Sequence, residues 1–433
     1  MRRSVAQQVP LARHESAVAS SRDRLIALQL QGQFVTAADE LLLRLIRWEW
    51  DAASGQTITI ARDIDWMAIV QTALHHGVAG LLCRSLRRLP SGEIAPDILH
   101  AAGVYIEESD ARGAERVAQL LEILDVLAAT NIPAIPFKGA ALGVLAYGSA
   151  TIRPSRDIDI LIHKQDLDRT VVALGGLGYR IGENLSARIM AACFETYGQD
   201  VLFAEERVPV EPHWEFSPRA LRVDLEMKGL WDRVSPIEID GRLTLTLSPE
   251  DTLLVACLHG GKEKWWRLLW VVDIAAFIDR NPALDWLVTM ARAEASGMRR
   301  MLLLGLALAR DLFSSPLPLA ISNAIEQDPV CLRLVEQSKR YMFTLGADVG
   351  SIHHVSKYHL RLRERVGDRL RYAWRTVMTP QFVHYRMVKL PDTLLFGYVP
   401  VKLIHDYLLL PLWTLGKGRL WRRSRDSMSD TPA

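Results

Sequence analysis

The tetrapeptide Arg-Asp-Ile-Asp occurs twice in this chain, at 62–65 and again at 156–159, and each copy sets two carboxylates two positions apart. On a β-strand, residues i and i+2 share a face. In the second copy Asp157 and Asp159 would then project together while Ile158, Ile160 and Ile162 face the other way. Two carboxylates held side by side repel, and a divalent cation relieves the repulsion. Oxygen ligands of this kind suit Mg²⁺, which keeps waters and takes substrate phosphates as its remaining ligands. The bland alternative is a solvated strand edge. The first copy has a different setting. It leads straight into the helical pattern DWMAIVQTALHHG at 65–77, so Asp63 or Asp65 reads as a helix cap, accepting from first-turn amides.

The second copy is preceded by FKGAALGVLAYGSATIRPSRDIDILI at 137–162. An apolar strand ends at Gly139, a short helix of small residues follows, and a basic loop enters the DxD strand. A glycine between strand and helix lets phosphate oxygens approach backbone amides at the positive helix end. Lys138, Arg153 and Arg156 flank that point and can neutralise a triphosphate, and Ser155 can bond a phosphate or the loop backbone. A second Gly-Ser at 148–149 leaves too few residues before Asp157 for an intervening helix, which favours the Gly139 register.

With these residues the stretch resembles the signature of the DNA polymerase beta-type nucleotidyltransferase superfamily, a glycine turn followed by Asp-hydrophobic-Asp-hydrophobic. Lys138–Gly139 with Arg153-Pro-Ser-Arg-Asp-Ile-Asp159 is most similar to its bacterial branches, and in particular to a poorly characterised family with long helical flanks. Leu174–Tyr179 (LxxLGY) and the PEDxLL…LH…W…LLWVVDIA stretch fit that family too. The resemblance covers about residues 60–310, with specific motifs confined to 137–159 and 208–273. Ala140 departs from it, standing where the superfamily prefers glycine or serine, and removes a hydroxyl contact to phosphate.

The resemblance implies nucleotidyl transfer from a nucleoside triphosphate to an acceptor, using two Mg²⁺ (or Mn²⁺) ions and a third acidic residue on a neighbouring strand. The segment RVPVEPHWEF at 207–216 alternates, with Val208, Val210, Pro212, Trp214 and Phe216 on one face and Glu211, His213 and Glu215 on the other. Glu211 is the implied third ligand, and Glu215 replaces it if the register slips by two. His213 would orient a carboxylate, contact substrate or serve as a structural histidine. Downstream, His259, Lys262, Lys264, Arg267 and Asp273 would present a charged helix to phosphate or acceptor, or simply line a helix face beside packed tryptophans. The rival readings are a nucleotide-binding or interaction module on the same fold, and a phosphotransferase.

The elements that must position these groups follow from periodicity. Residues 1–22 read as a loose tail and 23–130 as helical, with Val117, Leu120, Leu121, Leu124 and Leu127 forming one stripe. Residues 131–250 read as the α/β nucleotidyltransferase-like core, 251–315 as helices packed on it, 320–420 as a C-terminal helical region and 421–433 as a tail. The expected class is α+β, a small mixed sheet flanked by mainly helical regions.

Composition narrows the partners. The 433 residues are 49% hydrophobic with a net charge of +2, which describes a folded protein and argues against long nucleic acid. Four scattered cysteines without a CxxC pair argue against a disulfide framework or zinc ribbon and fit a reducing cytoplasm. The His pairs at 75–76 and 353–354 lack zinc spacing. The N-terminus shows no apolar signal region. The run LLFGYVPVKLIHDYLLLPLWTL at 394–415 is broken by Lys402, His405 and Asp406, so it reads as buried or interfacial rather than spanning. Residues 394–421 are a candidate peripheral membrane or protein contact, and the basic helix at 361–375 a solvated face or an anionic docking surface.

Overall fold

The structure, a computed structural model, describes residues 35–410 apart from 51–57, 59, 61–63, 90–91, 93, 183–184 and 345–353. Both expected tails, Asp63, His353 and the end of the 394–421 run lie outside the described residues.

The first region is helical: α1 (Ala37–Trp50), α2 (Trp66–His76), α3 (Ala79–Arg88) and the long α4 (Pro96–Ala129). Asp65 caps α2 by accepting from the Ala68 amide at 3.0 Å, so this copy of the tetrapeptide starts a helix. Proline in the first turn of α4 costs nothing because that amide has no intrahelical partner. Val117, Leu120, Ile123, Leu124 and Leu127 recur three and four apart and are buried, and they pack beneath the sheet.

The core follows as β1 (Ala134–Pro136), α5 (Gly139–Tyr147), β2 (Ile158–Ile162), α6 (Leu167–Gly175), β3 (Arg180–Ile181), α7 (Ala187–Tyr197), β4 (Leu202–Phe203), β5 (Val210–His213), α8 (Met227–Asp232) and the hairpin β6 (Ser235–Ile239) and β7 (Arg242–Thr246). The five-stranded sheet has the order β1-β2-β5-β4-β3. Only β2 and β5 are parallel; the other neighbours are antiparallel, so the sheet is mixed. The protein is α+β, as the sequence predicts.

β2 is buried along its whole length, with both faces in use. Ile158, Ile160 and Ile162 enter the core with α4 and α6, while Leu161 faces a second core with Ile135, Phe137 and Phe216. Asp159 shares the Leu161 face because side chains alternate. β5 is shorter than the 207–216 run suggests: Trp214 and Phe216 are buried, but they lie past the strand's end.

The remaining helices are α9 (Pro249–Lys262), α10 (Leu268–Arg280), α11 (Trp286–Ala295), α12 (Arg299–Phe313), α13 (Leu319–Glu326), α14 (Pro329–Phe343), α15 (Lys357–Leu362), α16 (Val366–Met378), α17 (Phe382–Met387) and α18 (Tyr398–Ile404). α10 packs along α5 and holds it against the sheet. The turn between α9 and α10 explains the HGGKEKWW segment. Lys264 and Trp265 take positive φ there, and a Cβ on Gly260 would stand 2.4 Å from the fully buried Trp265 ring. Only glycine lets helix and indole approach so closely. Residues 314–318 form a short connection, and Ile321, Ile325, Leu334 and Val335 beyond it share one core with α12.

Candidate active site at the glycine turn and the paired carboxylates

Sheet register assembles the site. In the parallel pair, Asp159 stands opposite Glu211 and Leu161 opposite His213. Alternation therefore places Asp159, Glu211 and His213 on one face, and their ligand-capable atoms lie within 4.8 Å of one another. Asp157 precedes β2 by one residue, two positions from Asp159. Of the expected triad, Asp159 and Glu211 are set side by side by the strand pairing, and Asp157 lies near enough for both to repel its charge.

Each carboxylate has its own surroundings. Asp159 is buried, and its Oδ1 accepts from Lys138 Nζ at 3.0 Å and bonds His213 Nε2 at 2.8 Å. Burial alone would raise its pKa, but the Lys138 charge and the His213 bond outweigh burial and hold it well below the ordinary carboxylate range. Asp157 goes the opposite way. Burial, then repulsion from Asp159 and Glu211, raises it above its ordinary value, against partial relief from Lys138 and Ser155. Glu211 Oε2 accepts from Gln199 Nε2 at 2.8 Å and lies 3.5 Å from His213 Nε2. Among the described residues Asp157 forms no ion pair.

That pattern suits a hard divalent cation: Asp159 and Glu211 meet beside His213, and the neighbouring Asp157 forms no ion pair among the described residues and is destabilised by both acids. His213 Nε2 serves these oxygens, while its buried Nδ1 has no partner. Glu215, the alternative third acid, lies beyond β5 and pairs with Arg222 at 3.4 Å.

Gly139 opens α5 directly after β1, with φ +50°, a left-handed conformation that side chains resist. The other glycine, Gly148, caps the C-terminal end of the same helix. The glycine turn between strand and helix is thus at 138–140. Gly139→Ala should lower stability by about 1–2 kcal/mol, read as a drop in melting temperature. A Cβ there would meet only ordinary contact, the nearest atom being Ser155 Oγ at 3.7 Å, so the cost is backbone strain alone.

A cleft open to solvent lies against this turn, lined by Lys138, Gly139, Ala140, Ser155, Asp157 and Asp159, with Arg116 from α4 on its wall. Arg116 was not legible as a site residue, since on sequence it sits on the polar face of a helix. It reaches the cleft because Gly113 lets α4 approach the 149–153 loop closely; a Cβ there would stand 2.8 Å from Thr151. Burial, and then the Arg112 charge, lowers its pKa. Gln199 was likewise missed.

The remaining sequence candidates divide. Ser155 Oγ donates to the Asp157 carbonyl and bonds its carboxylate, forming the local turn. Arg153 is buried and makes a two-pronged ion pair with Asp273 at 3.0–3.1 Å, while Tyr147 donates to the same carboxylate at 2.8 Å. Arg153 thus lines the cleft but spends its charge on Asp273. Arg267 lies over the Trp266 ring, its Nε buried and unpartnered, and burial followed by the Arg156 and Arg153 charges lowers its pKa. His259 packs edge-on to Trp270, and burial, with Lys138 and Lys262 nearby, pushes its pKa well down. Lys262 pairs weakly with Glu263, and Lys264 is buried in the turn.

Comparison with known proteins places this arrangement. A family described as uncharacterised nucleotidyltransferase matches residues 62–314. No curated protein matches the chain. Among solved structures, the solution structure of the antibiotic-resistance factor ANT(2'')-Ia is similar over 42% of this chain and 91% of that one, at 14% identity and a TM-score of 0.31.

Proposed function

The chain belongs to the family of uncharacterised nucleotidyltransferases, and from that membership we propose that it transfers a nucleoside monophosphate from a nucleoside triphosphate to a hydroxyl-bearing acceptor at the cleft beside Gly139. The observation that carries the reading is the register of β2 against β5, which gathers Asp159 and Glu211 next to Asp157 and the glycine turn.

The roles follow from the chemistry of each group. The acceptor oxygen forms a bond to the α-phosphorus as the bond to the β-phosphate oxygen breaks, and pyrophosphate leaves. Asp157, Asp159 and Glu211 would hold two Mg²⁺ ions. Bound there, the ions would neutralise the triphosphate and lower the acceptor's pKa. The first amides of α5 have no intrahelical partners and face anions favourably, which suits them to phosphate oxygens. Arg116, Arg156 and Lys138 add charge, and His213 with Gln199 holds the carboxylates in place. Glu211 Oε1, which no described group engages, takes the acceptor's proton. Catalysis on this view is positioning and charge stabilisation without a covalent intermediate.

Calorimetry with Mg·ATP and the other nucleotides, followed by assays for released pyrophosphate across hydroxyl acceptors, tests the reading. Magnesium-dependent binding with pyrophosphate release supports it. Release of ADP instead assigns phosphoryl transfer, and tight binding without any product assigns a nucleotide-sensing module. Arg116→Ala should raise the KM for nucleotide by about tenfold, the order of one lost charge-assisted phosphate contact. Its kcat and melting temperature should stay near the parent values, because Arg116 makes no internal ion pair among the described residues.

A further inference from the structure

The C-terminal region has its polarity reversed. Among the described residues, twelve of the twenty-two exposed large apolar side chains fall between Val366 and Leu409. Three of them, Val366, Leu370 and Trp374, are 66%, 67% and 66% exposed and recur four apart along α16, a continuous apolar stripe facing outward. Phe396 is 73% exposed, and Ile404, Tyr407 and Leu408 repeat the helical spacing further on. The interior of the same region is polar. Lys402, His384 and Asp406 are buried, with Asp406 accepting from Lys402 at 2.7 Å and bonding His384 at 3.0 Å. The local apolar core is small: Tyr385 and Tyr398 from this region are set against Ile189 and Cys193, with Phe382, Leu390 and Leu395 packed at its edge. A segment that places ions inside and leucines, phenylalanine and tryptophan outside is not arranged for water.

Charge indicates what covers that outer face. Between 366 and 409 the sequence carries six Lys or Arg against three Asp or Glu, and with the buried Lys402 and Asp406 set aside five cations face two acids, although the whole chain is only +2. Cations and apolar groups are interleaved on the surface: Arg386, Met387, Val388 and Lys389 are consecutive and all exposed. A protein groove would have to match that alternation residue by residue. A lipid surface matches it generically, taking apolar and aromatic side chains at the acyl boundary and Arg and Lys among headgroup phosphates. No helix among the described residues is long and apolar enough to cross a membrane. We propose that the region Val366–Leu409 binds the surface of an anionic lipid bilayer, lying on it rather than spanning it.

The test is flotation of the full chain with vesicles of phosphatidylcholine alone and of phosphatidylcholine with phosphatidylglycerol. The protein is expected to float with the anionic vesicles, less with the neutral ones, and less at raised salt. Trp374→Glu combined with Phe396→Glu should weaken the partition by roughly tenfold or more, and both sites are exposed, so the melting temperature should hold. Arg386→Glu with Lys389→Glu should remove the preference for anionic lipid. Absence of flotation by the parent chain overturns the proposal, as does equal flotation by the Trp374/Phe396 variant. A self-associating chain that ignores vesicles and becomes monomeric with the same substitutions assigns the face to a second copy and overturns it equally.

Discussion

Asp157→Asn and Asp159→Asn are each expected to abolish pyrophosphate release, by about a thousandfold or more if they remove a cation from the reacting phosphate, yet to move stability in opposite directions. Asp159 is a buried anion engaged by Lys138 and His213. Its folded pKa is depressed, so its contribution to stability is present above the unfolded value and is lost as pH falls through the folded one. Neutralising it strands the Lys138 charge and one His213 bond, at a cost of about 2–3 kcal/mol. Asp157 has a raised pKa, so its ionised form carries a penalty at neutral pH that disappears as pH falls through the folded value. Asparagine removes the same repulsion, and the metal-free variant should melt about 1–3 °C above the parent. The parent should show the complementary pH behaviour, losing magnesium-dependent nucleotide binding as pH falls and Asp157 takes up a proton at a higher pH than an ordinary aspartate would. Thermal melts without metal, beside pyrophosphate assays with it, separate the two roles. Wild-type turnover by either variant would sink the site assignment.

What sequence revealed and what it hid have different physical origins. The DxD strand, the glycine turn and the third acid announce themselves because each is a local constraint: period-two alternation, a positive φ, and a carboxylate on an alternating segment. The cap at Asp65 is local in the same sense. The two-residue strands β3 and β4 carry too few positions to show a period. The β6–β7 hairpin did have a signal, since Asp240 and Gly241 both take positive φ in a two-residue turn, which Asp-Gly favours. Arg116 reaches the cleft only through the close approach that Gly113 permits, and nothing in an amphipathic helix says which of its arginines will do so. The pairing of Arg153 with Asp273 joins residues 120 positions apart, so each looked like an independent candidate contact.

That pairing sets the second large expectation. Asp273→Ala should lower stability by about 3–5 kcal/mol, because it leaves the Arg153 guanidinium buried without its counterion and removes the Tyr147 hydroxyl's acceptor. Tyr147 cannot compensate, because burial, the larger cause of its raised pKa, persists without Asp273 and keeps the hydroxyl neutral. The effect on transfer should be larger than lost folding explains, for a geometric reason. Arg153 belongs to the loop that enters the DxD strand, Tyr147 ends the helix that starts at Gly139, and Asp273 lies on α10 behind both. One carboxylate therefore ties the two halves of the cleft to the helical region. Melting curves with kcat and KM measured well below the transition distinguish the effects: a pure stability role leaves both constants unchanged in the surviving folded fraction. Replacing the pair together, with Arg153→Met and Asp273→Leu, removes the stranded charge and should recover much of the stability without recovering full activity. If that double variant melts no higher than Asp273→Ala alone, the cost does not come from an unpaired buried charge.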